Sequence, residues 1–347
     1  MKKNLEKLFA VILVLTLVFT MAACGNSDDN GDAGDSEVYT LSATWCAGEA
    51  TAIVQSWYKA AEKIEQDSNG RIQVKTYHTG QISGSDRENA EKVSTNVCQF
   101  TTIPCATMAE FSGIKEYNLS TIPYICTSDA QLDYLYDQGV YDDINTAFTA
   151  QTGLVPNGSF STGWVALGMK KGEVRSAADI KGMKIRSMTT EGQLSTLEAW
   201  GAAPTPMAIG ELFTALQQGT VDGALAAEQL FDSEGYGEIL ASVTNINPFS
   251  TYHIGIYNQE WYNALPDDLK TVFDEGMAYF YEVCRPAQLQ ATQDAYKNLE
   301  ADGCKFVELT ADELQGFADA AAAVTEKMSA DLDADFVQKA KDCLATM

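Results

Sequence analysis

At 347 residues, with 46% hydrophobic residues and a formal net charge of −25, the chain is long enough for two modest domains and carries an acidic surface. Nucleic-acid phosphates demand Lys and Arg, so this balance excludes a nucleic-acid partner. It also repels anionic solutes, and an anion site here needs a local cation.

In chain order, Lys2, Lys3 and Lys7 form a basic start, Leu8 to Met21 is an unbroken apolar run, and Ala22-Ala23-Cys24 closes it. That layout predicts a cleaved secretory leader over residues 1–23; the run is short for a membrane span, which takes about 20 apolar residues. The ending resembles the bacterial lipobox, with Met21 in place of the commoner leucine, and the resemblance implies that Cys24 takes a lipid. An ordinary leader that contains a cysteine is the alternative. Residues 24–37 are polar enough to predict a flexible tether, placing the body outside the cytoplasm and anchored to the cell membrane through lipid.

Beyond the tether, strands and helices alternate, which predicts an α/β fold. Val38 to Ala43 reads as a strand, and Ala50 to Ile64 as a helix with Ile53, Trp57, Ala60, Ala61 and Ile64 on one face. Arg71 to Tyr77, Glu88 to Val97 and Cys98 to Ile103 continue the rhythm. Ser176 to Asp179 caps one helical turn stopped by Gly182, and Met183 to Met188 is a short strand. Glu191 to Trp200 and Met207 to Gln218 are helical. After Asp267 or Asp268 as cap, helix-forming residues run from Leu269 to about Ala301. Such a helix is about 45 Å long, suited to bridging two lobes, with a kink at Pro286. Thr310 to Glu313 is a capping box for the last helices.

Eight cysteines occur. Committing Cys24 to lipid leaves an odd number, without zinc-site spacing, so buried reduced thiols are expected rather than a disulfide framework. The inventory predicts no enzyme, no catalytic residue, no metal and no cofactor. His78 and His253 sit in no recognisable motif, and no nucleophile elbow, phosphate loop or HExxH appears. Glu211 and the Asp267/Asp268 pair read as solvated faces and caps.

Three consecutive stretches carry a family resemblance. Asp179-Ile180-Lys181-Gly182-Met183-Lys184-Ile185-Arg186 resembles the DLKGLKIR strand of the DctP-type solute receptors of TRAP (tripartite ATP-independent periplasmic) transporters. Gly201 to Met207 resembles their GA-P-P-M turn, and Glu211 to Gly223 their EVYxALQxGxVDG stretch. Weaker similarities at Ser68 to Arg87, Ile122 to Tyr124 and Trp261 to Leu269 extend the order over nearly the whole mature chain.

The resemblance implies a periplasmic-binding-protein-like fold of two α/β lobes joined by hinge segments. Lobe I is then expected at residues 38–162 plus about 251–291, and lobe II at about 163–250 plus 292–347. It implies a receptor that binds a small organic acid and passes it to TRAP membrane subunits. A receptor of similar fold that feeds a signalling or ABC-type system is the alternative.

The family's arginine clamp on a ligand carboxylate falls on Arg186, and a guanidinium fork suits two carboxylate oxygens as lysine cannot. A second arginine, present in several relatives, is missing from Thr162-Gly163-Trp164-Val165-Ala166. Trp45, Cys46, Trp164, Met207, Ile209 and Ala226 complete the expected wall. One clamp and an apolar or aromatic wall predict a monocarboxylate carrying a ring or alkyl body, rather than a sugar acid or C4-dicarboxylate.

Overall fold

The computed structural model describes residues 37–347, apart from Ala208 and the surroundings of residues 209 and 210. The expected leader, Cys24 and most of the tether lie outside the described residues.

The chain runs β1 (Tyr39–Thr44), α1 (Ala52–Asp67), β2 (Ile72–Tyr77), α2 (Asp86–Ser94), β3 (Phe100–Pro104), α3 (Cys105–Ser112), α4 (Asp129–Asp137), α5 (Asp142–Thr152) and β4 (Leu154–Met169). A second run holds β5 (Lys184–Ser187), α6 (Glu191–Ala199), β6 (Ala203–Pro206), α7 (Ile209–Gln218), β7 (Gly223–Ala227), α8 (Glu228–Ser233) and β8 (Ser242–Thr244). The chain then returns through β9 (Ser250–Asn258), α9 (Gln259–Ala264), α10 (Asp267–Ala301), β10 (Lys305–Val307), α11 (Ala311–Ala330) and α12 (Ala334–Leu344).

Strands β2-β1-β3-β9 and the first half of β4 make one sheet; the second half of β4 with β7-β5-β6, and with β8-β10, makes the other. Each sheet has an apolar cluster on both faces, because residues along a strand point alternately to either side. In β4, Val165, Leu167 and Met169 enter one cluster while Ala166 enters the other. The result is a mixed α/β fold of two lobes.

Among the described strands, β4 alone pairs in both sheets. β4 pairs with β9 up to Trp164 and with β7 from Val165, and its register shifts between Ser161 and Trp164. Gly163 lies in that shift at φ +110°, a backbone conformation that a residue with a Cβ rarely adopts. The crossover therefore sits at residues 161–164.

Helix α10 ties both lobes together. Phe273, Met277, Phe280, Tyr281 and Cys284 pack in the first lobe's core, and Leu299 in the second's. Its 35 residues span about 50 Å and run through Pro286 as one helix. Pro266 takes the cap position, so Asp267 and Asp268 occupy the first turn, where acids favour the helix dipole. Asp268 also pairs with Arg71. Both capping boxes are present, at Ser176/Asp179 and at Thr310/Glu313.

The C-terminus departs from expectation. α11 packs on the second lobe, where Trp200 Nε1 donates to the Phe317 carbonyl at 3.0 Å. The following α12, expected with that same lobe, buries Phe336, Val337 and Ala340 in the first lobe's core, with Phe336 edge-on to Tyr141 at 5.7 Å. An amphipathic stripe shows that a helix packs, not which lobe receives it. The seven cysteines of the described residues are all free, and five of them are buried.

Glu228, buried at the start of α8, carries a pH signature. Desolvation pushes its carboxyl up to about 7, although the Tyr296 hydroxyl beside it pulls the other way. The folded value lies above the ordinary one, so the folded state binds the extra proton between about pH 4.5 and 7. Stability from this group is present below that window and is lost as pH rises through it. Glu228→Gln is expected to raise the melting temperature at pH 8, with the gain gone at pH 4.5; thermal melts across pH check this.

Candidate functional site

Between the lobes lies a cavity of about 930 Å³. Arg186 lines it from the second lobe. Its strand, β5, is flanked by β6 and β7, with Arg186 in register with Thr205 and Ala224. This central position leaves the residue only 3% exposed. Nε donates to the Met207 carbonyl and Nη1 to the Leu225 carbonyl, both at 3.1 Å. Two main-chain acceptors thus hold the guanidinium plane and leave three of its five N–H donors.

Among the described residues no carboxylate pairs with Arg186. Burial lowers its pKa, with the Tyr236 phenol acting in the opposite sense. An arginine remains ionised under such pressure. A buried cation without an acid is costly unless something else supplies the negative charge.

The expected wall is only partly assembled. Ala226 lines the cavity, and Met207 contributes the carbonyl that holds Arg186. Trp45 does not face the cavity: it is 2% exposed, its Nε1 donates to Thr102 Oγ1 at 3.0 Å, and its ring meets Trp57 and Phe100. Trp164 is likewise turned into the first lobe's core, with Nε1 donating to Asp129 Oδ1 at 2.8 Å. In both cases an indole needs burial and one acceptor, and the core supplies both. Cys46 sits half-buried behind the wall against Asn89, its thiol pushed up to about 11 by burial. Ile209 opens α7, and its side chain lies outside the described residues.

Several lining residues escaped the sequence reading. Thr162 and Val165 flank the crossover, while Pro104, Phe249 and His253 add to the wall. His253 stacks on Phe160 with ring centres 5.6 Å apart, and burial lowers its pKa to about 4, so the ring is neutral near pH 7. Asp86, at the start of α2, also lines the cavity. Only a neighbouring lobe turns these positions into a wall; Asp86 falls in the stretch from Ser68 to Arg87 that resembles the family, but its place on the wall is not legible there.

A family model described as "Bacterial extracellular solute-binding protein, family 7" (DctP) matches residues 44–331. The chain belongs to this DctP family. Members are solute-binding receptors, and the two-lobed fold with an interlobe cavity is what such a receptor requires.

YiiZ of Salmonella typhimurium, described as uncharacterized, is 29% identical over 178 residues, 51% of this chain and 54% of that protein. The chain thus aligns with about half the length of that relative. The ectoine/5-hydroxyectoine-binding periplasmic protein UehA of Ruegeria pomeroyi is 27% identical, with 86% of this chain and 88% of UehA covered. Among solved structures, a TRAP periplasmic solute-binding protein from Anaerococcus prevotii with bound D-glucuronate has the same fold. Its TM-score is 0.77 at 21% identity, covering 88% of this chain and 98% of that one.

Proposed function

We propose that this DctP-family receptor captures a small monocarboxylate outside the cell and delivers it to the membrane subunits of a TRAP transporter. A lipid on Cys24 and the polar tether hold it at the membrane. The single observation that carries the reading is Arg186: a buried guanidinium on a cavity wall, fixed by two carbonyls and, among the described residues, without an acid partner. A ligand carboxylate completes it with paired charged hydrogen bonds. The glucuronate in the Anaerococcus prevotii relative is a carboxylate too, although a sugar acid rather than the apolar-bodied acid proposed here. Val165, Leu225 and Phe249 give the wall its apolar character, which suits a ring or alkyl body.

Closure follows from the crossover. Lobe I comprises residues 38–162, 251–291 and 331–347; lobe II comprises 163–250 and 292–330. The lobes turn about residues 161–164 and the adjoining start of β9. Only the closed state brings both walls onto the ligand, so binding selects it.

Titration calorimetry against monocarboxylates, C4-dicarboxylates and sialic acids tests this. Monocarboxylates with a ring or alkyl body are expected to bind most tightly; a strong preference for succinate or sialate overturns the reading. Ala106→Trp, which fills the cavity from α3, is expected to weaken binding at least tenfold while leaving the melting temperature within a few degrees.

A further inference from the structure

Away from the crossover, the first lobe reaches into the second at Thr121 to Tyr124. Leu119, Ile122 and Cys126 pack in the first lobe's core, but Tyr124 packs against the second lobe's cluster around Leu167 and Ile185. Its N–H donates to the Pro248 carbonyl at 2.7 Å and its hydroxyl to the Ile246 carbonyl at 3.0 Å. From α11, Thr325 Oγ1 donates to the Pro123 carbonyl at 2.8 Å. A Cβ on Gly192, at the start of α6, would lie 2.7 Å from the Thr121 carbonyl oxygen, so that helix also closes on the segment. Residues 246–248 lead directly into β9.

The contact is strained. Five non-glycine residues among the described ones have a positive φ. Asn69 and Asn96 follow the ends of α1 and α2, and Thr79 sits in the turn after β2, where that conformation is ordinary. The other two meet here: Tyr124 at φ +57°, and Asn247 at φ +40° between the two carbonyls that accept from Tyr124. A left-handed backbone is costly for a residue with a side chain and persists only where its surroundings hold it. Asn247 Oδ1 is also buried without a partner. Three hydrogen bonds of modest net worth therefore stand against two strained residues and an orphan acceptor, opposing sums of similar size. Such a balance lets the contact be made and broken. Room for that exists on both sides: the ligand cavity reaches Ser120 and Thr121, and a groove of about 920 Å³ between α11 and α12 reaches Tyr124 and Thr325.

We propose that Tyr124 and Asn247 form a strained latch across the lobe boundary, which holds the lobes in the arrangement of this structure and releases as they turn apart. This rests on the reading that the lobes turn about residues 161–164 and adds the element that sets their resting position. Tyr124, Asn247 and Thr325 stand outside the ligand cavity's lining. The latch thus acts on the equilibrium between lobe arrangements and makes no contact with the ligand.

Small-angle scattering on the ligand-free full chain tests it. Tyr124→Phe keeps the ring but loses the bond to Ile246, and Thr325→Val loses the bond to Pro123. Each is expected to raise the radius of gyration by a few per cent of the roughly 20 Å of a compact chain this long. Asn247→Gly removes the strain and the orphan oxygen, so adding it to Tyr124→Phe is expected to bring the radius back towards the wild-type value. Cooperative thermal melts confirm that each variant is folded, and a merely structural contact would lower the melting temperature without moving the radius. The latch is overturned if Tyr124→Phe and Thr325→Val scatter as the wild type does, or if Asn247→Gly adds to the expansion instead of reversing it. Gly163→Ala, at the crossover, supplies the separate control. A change there with none in the latch variants sinks only the latch, whereas no change in any variant sinks the turning of the lobes as well.

Discussion

Arg186→Ala is expected to weaken carboxylate binding by two to three decades in Kd, about 3–4 kcal/mol, because a desolvated acid loses the buried cation that faces it. The same change removes two donors from the carbonyls of Met207 and Leu225, so folding stability falls as well. Arg186→Lys separates the two effects. It keeps the positive charge but not the fork, and a single ammonium cannot hold two carbonyls and two carboxylate oxygens in one plane. The lysine variant is therefore expected to lose at least tenfold in affinity with a smaller change in stability. Calorimetry and ligand-induced shifts in melting temperature read both. An affinity unchanged in the alanine variant would show that the acid binds elsewhere.

Gly255→Ala is expected to destabilise the protein by about 3 kcal/mol, the upper part of the range for overpacking a filled core. Gly255 lies in β9, where the ring of Tyr281 from α10 closes over it and donates its hydroxyl to Asn157 Oδ1 at 2.8 Å. A Cβ at residue 255 overlaps that hydroxyl and comes within 2.8 Å of Asn157 Oδ1. The tyrosine must move, which breaks the hydrogen bond and disturbs its packing on Phe160 and Phe280. Urea midpoints measure the loss. Removing the hydroxyl with Tyr281→Phe relieves the nearest overlap, so the two changes together are expected to cost less than their sum. Strict additivity would mean that this contact does not set the cost.

Much of the architecture was legible before any coordinates. The helical stripe of residues 53–64, both capping boxes and the run ending near Ala301 are local patterns, written within one element and kept in the fold. The block from Asp179 to Gly223 marked the family and singled out Arg186. β4 was harder to read. Its sequence, LVPNGSFSTGWVALGM, interrupts any strand pattern with Pro156, Gly158 and Gly163, yet it forms the longest described strand and joins the two sheets. The interruptions are where its pairing changes, and pairing belongs to the partner strands as much as to β4.

The site divides along the same line. By itself the sequence determined an acidic α/β chain of this family, with Arg186 at the position that matches the family's clamp, because period, capping and motif spacing act over a few residues. Only the tertiary structure decided that Trp45 and Trp164 fill the core, that α12 returns to the first lobe, and that Asp86 and His253 line the cavity with Arg186. An indole, an amphipathic helix or a carboxylate has the same local preferences wherever it is buried or paired. Which partner it meets is settled by contacts between residues far apart in the chain, and these exist only once the two lobes have packed.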